Sequence, residues 1–183
     1  MTEHKPAPIT QIDSHIDWEC PWYTIRQDSI RLPDGGQGVY NVVQMQDSVW
    51  VVPVTASGDI VLIHNFRYTL NAWCWELPAG HVEDDQTALQ AAQQELLEEA
   101  GGTSDDWTFI MKISTLNGIG DHYGSFYLAR DVTLGPQQHE RTEAMTVHTF
   151  PAETVFDMAR SGQINDAVSV LGLLLAEPLL KPE

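Results

Sequence analysis

Apolar residues alternate with polar ones, or form short runs, over the first third of this chain, and both patterns predict β-strands. The strands predicted first cover residues 22–31, 39–46 and 49–54. The turn signal Pro33-Asp34-Gly35-Gly36 ends the first of them. Residues 60–66 begin with the unbroken run Ile-Val-Leu-Ile, which is typical of a buried strand. Residues 1–15 lack such a pattern, and we expect a loose lead-in there.

The second half of the chain mixes helical and strand patterns. A helix is predicted over residues 85–100, and the Gly101-Gly102 pair that follows is a frequent helix C-terminal signal. The remaining predicted elements are strands at residues 107–116, 123–129 and 145–150 and helices at residues 152–160 and 165–175. Strands with interspersed helices and no βαβ rhythm indicate an α+β or mixed-sheet α/β domain.

The charge of the chain narrows its possible partners. Twenty-six acidic and nine basic residues give a formal net charge of −17, so binding to nucleic acid is not expected. No apolar run reaches the roughly 18 residues that a membrane helix needs, and the polar N-terminal residues do not resemble a signal peptide. We therefore expect a cytoplasmic protein that does not enter a membrane. Cys20 and Cys74 give neither a disulfide framework nor a metal-binding spacing.

An acidic cluster on the predicted helix changes the picture. Glu95, Glu98 and Glu99 have i, i+3 and i+4 spacing, which places them on one side of a helix near its C-terminus. Both their mutual repulsion and the helix dipole disfavour this arrangement, and no Lys or Arg occurs between Arg67 and Lys112. A solvated acidic face is one interpretation. A site for Mg²⁺ or Mn²⁺, which prefer carboxylate oxygens, explains the cluster better.

Residues 77–102, LPAGHVEDDQTALQAAQQELLEEAGG, resemble the Nudix box. That motif runs Gly, five residues, Glu, seven residues, Arg-Glu, an aliphatic residue, any residue, Glu-Glu, any residue, Gly and a final aliphatic residue. The spacing is kept over all 23 positions, and the matching residues are Gly80, Gln86, Gln94, Glu95, Leu96, Glu98, Glu99, Gly101 and Gly102. This spacing is strong support for the resemblance, because Glu-x-x-Glu-Glu at these positions of the motif is rare by chance.

The chain departs from the motif at Gln86, Gln94 and Gly102, where the family has Glu, Arg and an aliphatic residue. The family's Arg usually pairs with and orients the neighbouring catalytic Glu, whereas Gln94 offers only neutral hydrogen bonds. Gln86 removes a carboxylate from the surroundings of the metal. Weaker metal binding or slower turnover is the expected consequence. A domain that binds a nucleotide without hydrolysing it therefore stays open as an alternative.

The resemblance extends beyond the box to the ADP-ribose pyrophosphatase subfamily and covers about residues 14–177. The matching segments outside the box are residues 64–68, 75–80, 143–148 and 159–167. The resemblance implies a Nudix α/β/α sandwich with a mixed sheet over residues 49–183. It also implies an N-terminal antiparallel β-sheet extension, residues 1–48, that forms a homodimer. The implied reaction is hydrolysis of ADP-ribose or another ADP-sugar to AMP and a sugar phosphate.

The same resemblance implies roles for individual residues. The metal ligands would be Glu95, Glu98 and Glu99 with the backbone carbonyl of Ala79, and the catalytic residues Glu98, Glu99 and Glu143. Glu143 would be an extra metal ligand or the general base, and Glu140 is the alternative general base.

The implied substrate contacts lie outside the carboxylate helix. Arg67 and Glu76 are expected to face the substrate, although a surface salt bridge is the alternative for Arg67. Gly118 belongs to a loop, residues 117–121, that could close over the diphosphate or simply connect two strands. Trp73 or Trp75 could stack on the base, although core packing is the ordinary role of such residues, and no chemistry is assigned to His81 or His122. Other nucleoside diphosphate sugars, such as GDP-mannose, stay open as substrates. An acidic protein-interaction domain would explain the charge but not the spacing.

Overall fold

The computed structural model describes residues 7–136 and 144–180. The chain divides into two units. One comprises Met1–Gln46 with Ser114–Tyr123, and the other comprises Asp47–Ile113 with Gly124–Glu183. In the part of the chain that is described, no helix is both long enough and apolar enough to cross a membrane.

The first unit contains an antiparallel sheet. Its strands are β1 (Thr10–Glu19), β2 (Thr24–Arg31) and β3 (Gln37–Gln44), in that spatial order. The predicted loose lead-in over residues 1–15 is wrong from Thr10 onwards, because β1 pairs with β2 along its length. All ten residues of β1 are exposed, yet Ile12, Ile16 and Trp18 alternate with polar residues. This period of two continues past residue 15, and the prediction of a loose lead-in did not use it.

An ion pair within β2 is joined to β1 by one side-chain hydrogen bond. Arg26 Nε and Nη2 donate to the two carboxylate oxygens of Asp28 at 2.9 and 3.0 Å, and Gln11 Nε2 donates to Asp28 Oδ1 at 3.0 Å. Asp28 is buried. These hydrogen bonds hold the pKa of Asp28 below its ordinary value, and the bond from Arg26 contributes most. Burial of Asp28 opposes the shift.

The second unit contains a mixed sheet. Its strands are β4 (Ser48–Thr55), β5 (Asp59–Arg67), β6 (Ala72–Glu76), β7 (Ala79–His81), β8 (Gly102–Thr103), β9 (Asp106–Ser114), β10 (Tyr123–Leu134) and β11 (Met145–Pro151). The principal order is β11-β5-β4-β10-β8, and β6, β7 and β9 pair with β5, β4 and β10. Strands β4 and β10 run parallel, whereas β5 is antiparallel to both β4 and β11. The predicted mixed sheet and N-terminal antiparallel sheet are confirmed.

Helices cover both faces of the mixed sheet. They are α1 (Ala88–Ala100), α2 (Ala152–Ser161) and α3 (Ala167–Leu180). Consecutive strand residues point to opposite faces, so Val51 and Val61 pack with α1 whereas Val52 and Leu62 pack with α2 and α3. Each of these four side chains is fully buried, and the predicted α/β/α layering follows from that alternation.

Helix α1 begins later than the sequence pattern indicates. Thr87 is its N-cap, and Thr87 and Gln90 form a reciprocal capping box, so the helix starts at Ala88 rather than at residue 85. The predicted C-terminal signal is confirmed. Gly101 adopts a left-handed conformation with φ 65°, and its N–H donates to the carbonyls of Leu96 and Leu97.

Candidate active site

The short strand β7 brings the Ala79-Gly80 segment onto the mixed sheet. Trp50 pairs with Ala79 and Val49 with Gly80, and the N–H of Val51 donates to the carbonyl of Pro78 at 3.0 Å. The backbone in front of α1 is therefore fixed by β4, one of the most deeply buried strands of the sheet.

Two carboxylates of α1 converge on this segment. The N–H of Ala79 donates to Glu99 Oε2 at 2.8 Å, and Glu99 is buried. The Glu95 carboxylate lies so close to Gly80 that a Cβ on this residue would overlap with it. Glycine at position 80 thus makes the space that Glu95 occupies. The predicted ligand role of the Ala79 carbonyl stays a prediction, since the described contact is made by its amide.

Glu98, the third carboxylate, is hydrogen-bonded to an exposed side chain of the same helix. Gln94 Nε2 donates to Glu98 Oε1 at 2.9 Å, and Gln86 Nε2 donates to Gln94 Oε1 at 2.6 Å. Two of the residues that depart from the motif, Gln86 and Gln94, are therefore in contact with each other and, through Gln94, with Glu98.

The donor chemistry of α1 fits a divalent cation. Glu95, Glu98 and Glu99 offer hard carboxylate oxygens, no basic residue lies in the last turn of α1, and Gly80 leaves room beside Glu95. Over residues 7–136 and 144–180, no group of three or more His, Cys, Asp or Glu side chains is already arranged as a metal site.

Arg67 and Glu76 form a bidentate ion pair next to this segment. Register between β5 and β6 pairs Ile63 with Glu76 and Arg67 with Ala72, which puts both charged side chains on one face. Arg67 Nε donates to Glu76 Oε1 at 2.8 Å and Arg67 Nη2 to Glu76 Oε2 at 2.6 Å. Side-chain exposure is 50% for Arg67 but only 7% for Glu76. The buried carboxylate thus orients a guanidinium that still reaches solvent.

The charges around Arg67 reinforce its cationic form. The hydrogen bond that Arg67 donates to Glu76 raises the pKa of Arg67 most. Burial opposes the shift, and the negative charges of Glu76, Glu99 and Asp166 add to it. The field of Glu99 reaches Arg67, so the ion pair and the carboxylate helix belong to the same electrostatic site.

Two cavities meet at this ion pair. A cleft of about 260 Å³ is lined by Arg67, Glu76, Ala79, Gly80, His81 and Asp166, among others. A second cavity of about 300 Å³ is lined by Thr69, Leu70, Cys74 and Asn165 together with Arg67, Glu76 and Asp166. The three shared residues form the wall between the cavities. Burial, followed by the charge of Glu76, raises the pKa of the Cys74 thiol, which favours its neutral form.

The structure places two residues in this cleft, Asp166 and His81, to which the sequence assigned no role. Asp166 accepts a hydrogen bond from the N–H of Ser169 at 2.8 Å, as an N-cap residue does, and the pair Asn165-Asp166 before an apolar run is a readable capping signal. His81 Nδ1 lies 3.1 Å from Ser48 Oγ. The sequence places His81 in or near an active-site loop but assigns it no chemistry, and the structure puts it in the lining of the cleft.

The start of α3 is bonded to the loop that leads into β7. The N–H of Leu77 donates to Ser169 Oγ at 2.9 Å, and both residues are buried. A Cβ on Gly172 would lie 2.9 Å from Leu77 Cδ1, so the helix backbone approaches Leu77 closely. This helix therefore supports the cleft from the side opposite α1.

Other predicted residues are placed elsewhere. The carbonyl of Gly118 accepts a hydrogen bond from Tyr40 Oη at 3.0 Å within the first unit, and its role towards substrate stays a prediction. Glu143 and Glu140 lie outside the described residues.

The tryptophans that could stack on a base form part of an aromatic cluster. Trp75 stacks on His64 with ring centroids 4.2 Å apart and packs against the core, whereas Trp73 is half exposed. Burial, and then the charge of His148, holds the pKa of His64 below its ordinary value. His64 is therefore an aromatic partner of Trp75 in its neutral form.

Comparisons with known proteins agree with this geometry. The family model described as NUDIX domain matches residues 44–168. An ADP-ribose pyrophosphatase of Mycobacterium tuberculosis is 30% identical over 179 residues, which cover 95% of this chain and 84% of that protein. An ADP-ribose pyrophosphatase of Bacillus subtilis is 28% identical over 76% of this chain and 77% of its own length. The crystal structure of an ADP compounds hydrolase superposes with a TM-score of 0.83 at 18% identity, covering 97% of each chain.

Proposed function

This chain belongs to the Nudix hydrolase family, and we propose that it splits the pyrophosphate of ADP-ribose or another ADP-sugar into AMP and a sugar phosphate. Family membership gives the coarser activity, hydrolysis of the pyrophosphate bond in nucleoside diphosphate compounds. The finer assignment is supported by the two relatives described as ADP-ribose pyrophosphatases.

The observation that carries the proposal is the convergence of two kinds of group on one cleft. Glu95 and Glu99 contact Gly80 and Ala79, which line the cleft, and the guanidinium of Arg67 lies in the same wall. Carboxylates that gather cations and a fixed guanidinium are both needed to hold a diphosphate, because its negative charge would otherwise be repelled by this acidic chain.

In this proposal Glu95, Glu98 and Glu99 hold Mg²⁺ or Mn²⁺. The bound cation supplies neutralisation of phosphate charge and a lowered pKa for water. Glu143, which matches a family glutamate, is proposed as the general base.

The chain's own residues do the positioning. Glu76 occupies Nε and Nη2 of Arg67, so Nη1 remains to hydrogen-bond a phosphate oxygen; among the described residues it has no other partner. A guanidinium held along one edge meets phosphate in a fixed orientation. Leu77, Ala79 and Gly80 line the cleft, and their backbone is tied to β4 and α3.

The paired cavities favour a substrate with a group on each side of the diphosphate. The wall they share contains Arg67, where the phosphates would lie. The second cavity offers Asn165, Asp166 and Thr69, side chains that hydrogen-bond hydroxyl groups. We propose that the sugar lies in this second cavity and that the nucleoside lies on the other side of Arg67, in the cleft lined by Ala79 and Gly80.

The test is hydrolysis by the purified full chain. ADP-ribose is incubated with Mg²⁺ and then with Mn²⁺, and AMP release is followed by chromatography beside Glu98→Gln and, as a matched control on the same helix, Gln93→Ala. Metal-dependent release that Glu98→Gln abolishes and Gln93→Ala preserves would support the proposal. Absence of release with either metal, together with a raised melting temperature in ADP-ribose, would replace it with a nucleotide-binding domain without activity.

We also propose that the chain forms a homodimer through its N-terminal sheet. Ile12, Ile16 and Trp18 on β1 are 46%, 50% and 51% exposed, which is unusual for a group of large apolar side chains on one strand of a monomer.

A further inference from the structure

We propose that Gln86 and Gln94 are positioning residues for Glu98, joined to it in a hydrogen-bonded relay of neutral amides. The relay consists of Gln86 Nε2 donating to Gln94 Oε1 at 2.6 Å and Gln94 Nε2 donating to Glu98 Oε1 at 2.9 Å. This inference rests on the proposed function in one respect: it takes Glu98 to be a metal ligand. What it adds is a role for two residues that otherwise read as losses from the motif.

The carboxylate of Glu98 dictates the direction of the whole relay. An ionised carboxylate only accepts hydrogen bonds, so Gln94 must turn its NH₂ group towards Glu98. That leaves Gln94 Oε1 facing the other way, where it can only accept, and Gln86 must then present its own NH₂ group. Each amide thus has one orientation that satisfies both neighbours. Hydrogen bonds in such a chain polarise one another, which strengthens the bond that reaches Glu98.

The far end of the relay is anchored to the start of the helix. Gln86 directly precedes the N-cap Thr87, and its own N–H donates to the carbonyl of Glu83 at 3.0 Å. Thr87 is locked in turn by the side chain of Gln90, which accepts from the Thr87 N–H at 2.9 Å. Gln90, Gln94 and Glu98 follow one another at i, i+4 and i+8, on one stripe of α1. Gln86, a loop residue fixed at the start of the helix, therefore holds the side chain of Gln94 two turns further along α1.

The relay also preserves charge. In the motif as it matches this chain, the three positions carry Glu, Arg and Glu, with formal charges −1, +1 and −1 and a sum of −1. Here they carry Gln86, Gln94 and Glu98, with charges 0, 0 and −1 and the same sum. Replacing the Glu and the Arg of the motif by amides keeps the net charge of the three positions while retaining a donor directed at the carboxylate. The two departures are thus one paired change.

The simpler view is that these are surface hydrogen bonds that water replaces at no cost, since Gln94 is exposed. The two views differ in what the substitution Gln94→Ala does to cation binding. Mn²⁺ binding to the full chain, measured by isothermal titration calorimetry without any nucleotide, separates them independently of turnover. Gln93→Ala is the matched control, because Gln93 is a neighbouring exposed glutamine of the same helix outside the relay.

We expect Gln94→Ala to raise the Mn²⁺ dissociation constant about tenfold, the lower end of the effect of residues that orient metal ligands. Gln86→Ala should raise it about threefold, since one hydrogen bond of the relay remains. The double variant Gln86→Ala/Gln94→Ala should bind Mn²⁺ as Gln94→Ala does, because Gln86 acts only through Gln94. All variants should keep the far-ultraviolet circular dichroism spectrum and the melting temperature of Gln93→Ala within a few degrees, which excludes a merely structural effect.

Three results would overturn the relay. They are a Gln94→Ala dissociation constant within twofold of that of Gln93→Ala, additive effects in the double variant, and no measurable Mn²⁺ binding by the unsubstituted chain. Failure of the proposed hydrolysis looks different. Normal, Gln94-dependent Mn²⁺ binding without release of AMP from ADP-ribose would remove the proposed substrate and leave the relay standing.

Discussion

The Glu95 carboxylate lies directly against the Cα of Gly80, in the space that a side chain at position 80 would fill. Gly80→Ala must therefore displace Glu95 or shift β7 on β4. We expect activity to fall at least about 100-fold, because the displaced group is a proposed metal ligand, and stability to fall by about 1–3 kcal/mol from overpacking. Steady-state kinetics and urea unfolding measure the two effects.

Gly135→Ala is the matched control for that substitution. Gly135 is not in the left-handed region, and a Cβ there would meet only the carbonyl oxygen of Gly101, at 3.6 Å. This variant should behave like the unsubstituted chain in both measurements. Wild-type kinetics in Gly80→Ala would show that Glu95 is not held where the cleft needs it.

The Arg67–Glu76 pair should respond asymmetrically to truncation. Arg67→Ala leaves a buried carboxylate without its partner, whereas Glu76→Ala leaves a guanidinium that already reaches solvent. We expect Arg67→Ala to cost about 1–3 kcal/mol of unfolding free energy and Glu76→Ala clearly less. Chemical denaturation followed by circular dichroism gives both values. Equal losses of unfolding free energy in the two variants would mean that the burial of Glu76 does not determine how much the pair contributes to stability.

The same pair should affect kinetics in a distinguishable way. Arg67→Lys retains the charge but cannot donate along two edges, so kcat/KM for ADP-ribose should fall by about tenfold or more. The paired variant Arg67→Ala/Glu76→Ala should recover stability relative to Arg67→Ala without recovering activity. Recovery of both would assign the pair a purely structural role.

Restoring the motif residue at position 94 alone should weaken Mn²⁺ binding more than restoring the motif residues at positions 86 and 94 together. Gln94→Arg alone adds a positive charge near Glu98, whereas Gln86→Glu/Gln94→Arg returns the sum of charges to that of the present chain. We expect Mn²⁺ binding to weaken about three- to tenfold in the single variant and to return to within about twofold in the double variant. Calorimetric titration with Mn²⁺ tests this, and stronger binding in Gln94→Arg alone would contradict it.

Acid should remove the contribution of Asp28 to the N-terminal sheet. The folded-state pKa of Asp28 lies below its ordinary value of 3.8, mainly because of Arg26. A lowered folded-state pKa gives stability that is present above the unfolded-state pKa and is lost as pH falls through the folded-state pKa. Asp28→Asn should therefore be about 1–2 kcal/mol less stable than the unsubstituted chain at pH 7. The difference should shrink below about pH 4; a difference that is unchanged at pH 3 would exclude this ion pair as its source.

The proposed dimer predicts a change of mass. Ile16→Asp introduces a charge into the exposed apolar row of β1, so size-exclusion chromatography with light scattering should give about 20 kDa for this variant and about 41 kDa for the unsubstituted chain. Thr10→Asp, a charge at an exposed polar position of the same strand, should leave the dimer intact. A monomeric mass for the unsubstituted chain would refute the proposal.

Much of the fold could be predicted from the sequence because burial imposes a pattern on it. Val49 to Val54 and Ile60 to Ile63 lie between two layers of helices, so their apolar runs predict strands directly. Strand β1 was missed because it is exposed throughout and has no unbroken apolar run. Its weaker signal, the alternation of Ile12, Ile16 and Trp18 with polar residues, was present in the sequence. The start of α1 was readable in principle from Thr87 and Gln90, which match a capping box.

The candidate site was predictable in its residues but not in its contacts. Motif spacing indicates Glu95, Glu98 and Glu99, and resemblance indicates Arg67 and Glu76. Neither shows that Glu76 is the buried member of an ion pair, which depends on the register between β5 and β6. From the sequence, Gln86 and Gln94 are two separate departures from the motif. The hydrogen bond between them joins a loop to the second turn of a helix, and motif spacing does not predict such a bond.

The bond between Leu77 and Ser169 sets the order in which the cleft can be completed during synthesis. The carboxylate helix, the ion pair and β7 all leave the ribosome before α3, yet the amide of Leu77 has its buried partner only once Ser169 has emerged. Until then the loop that carries Ala79 and Gly80 is held on one side alone. A nascent chain without α3 and the residue that precedes it also lacks Asp166 and Ser169 from the lining of the cleft, so co-translational completion of the cleft ends with its last helix.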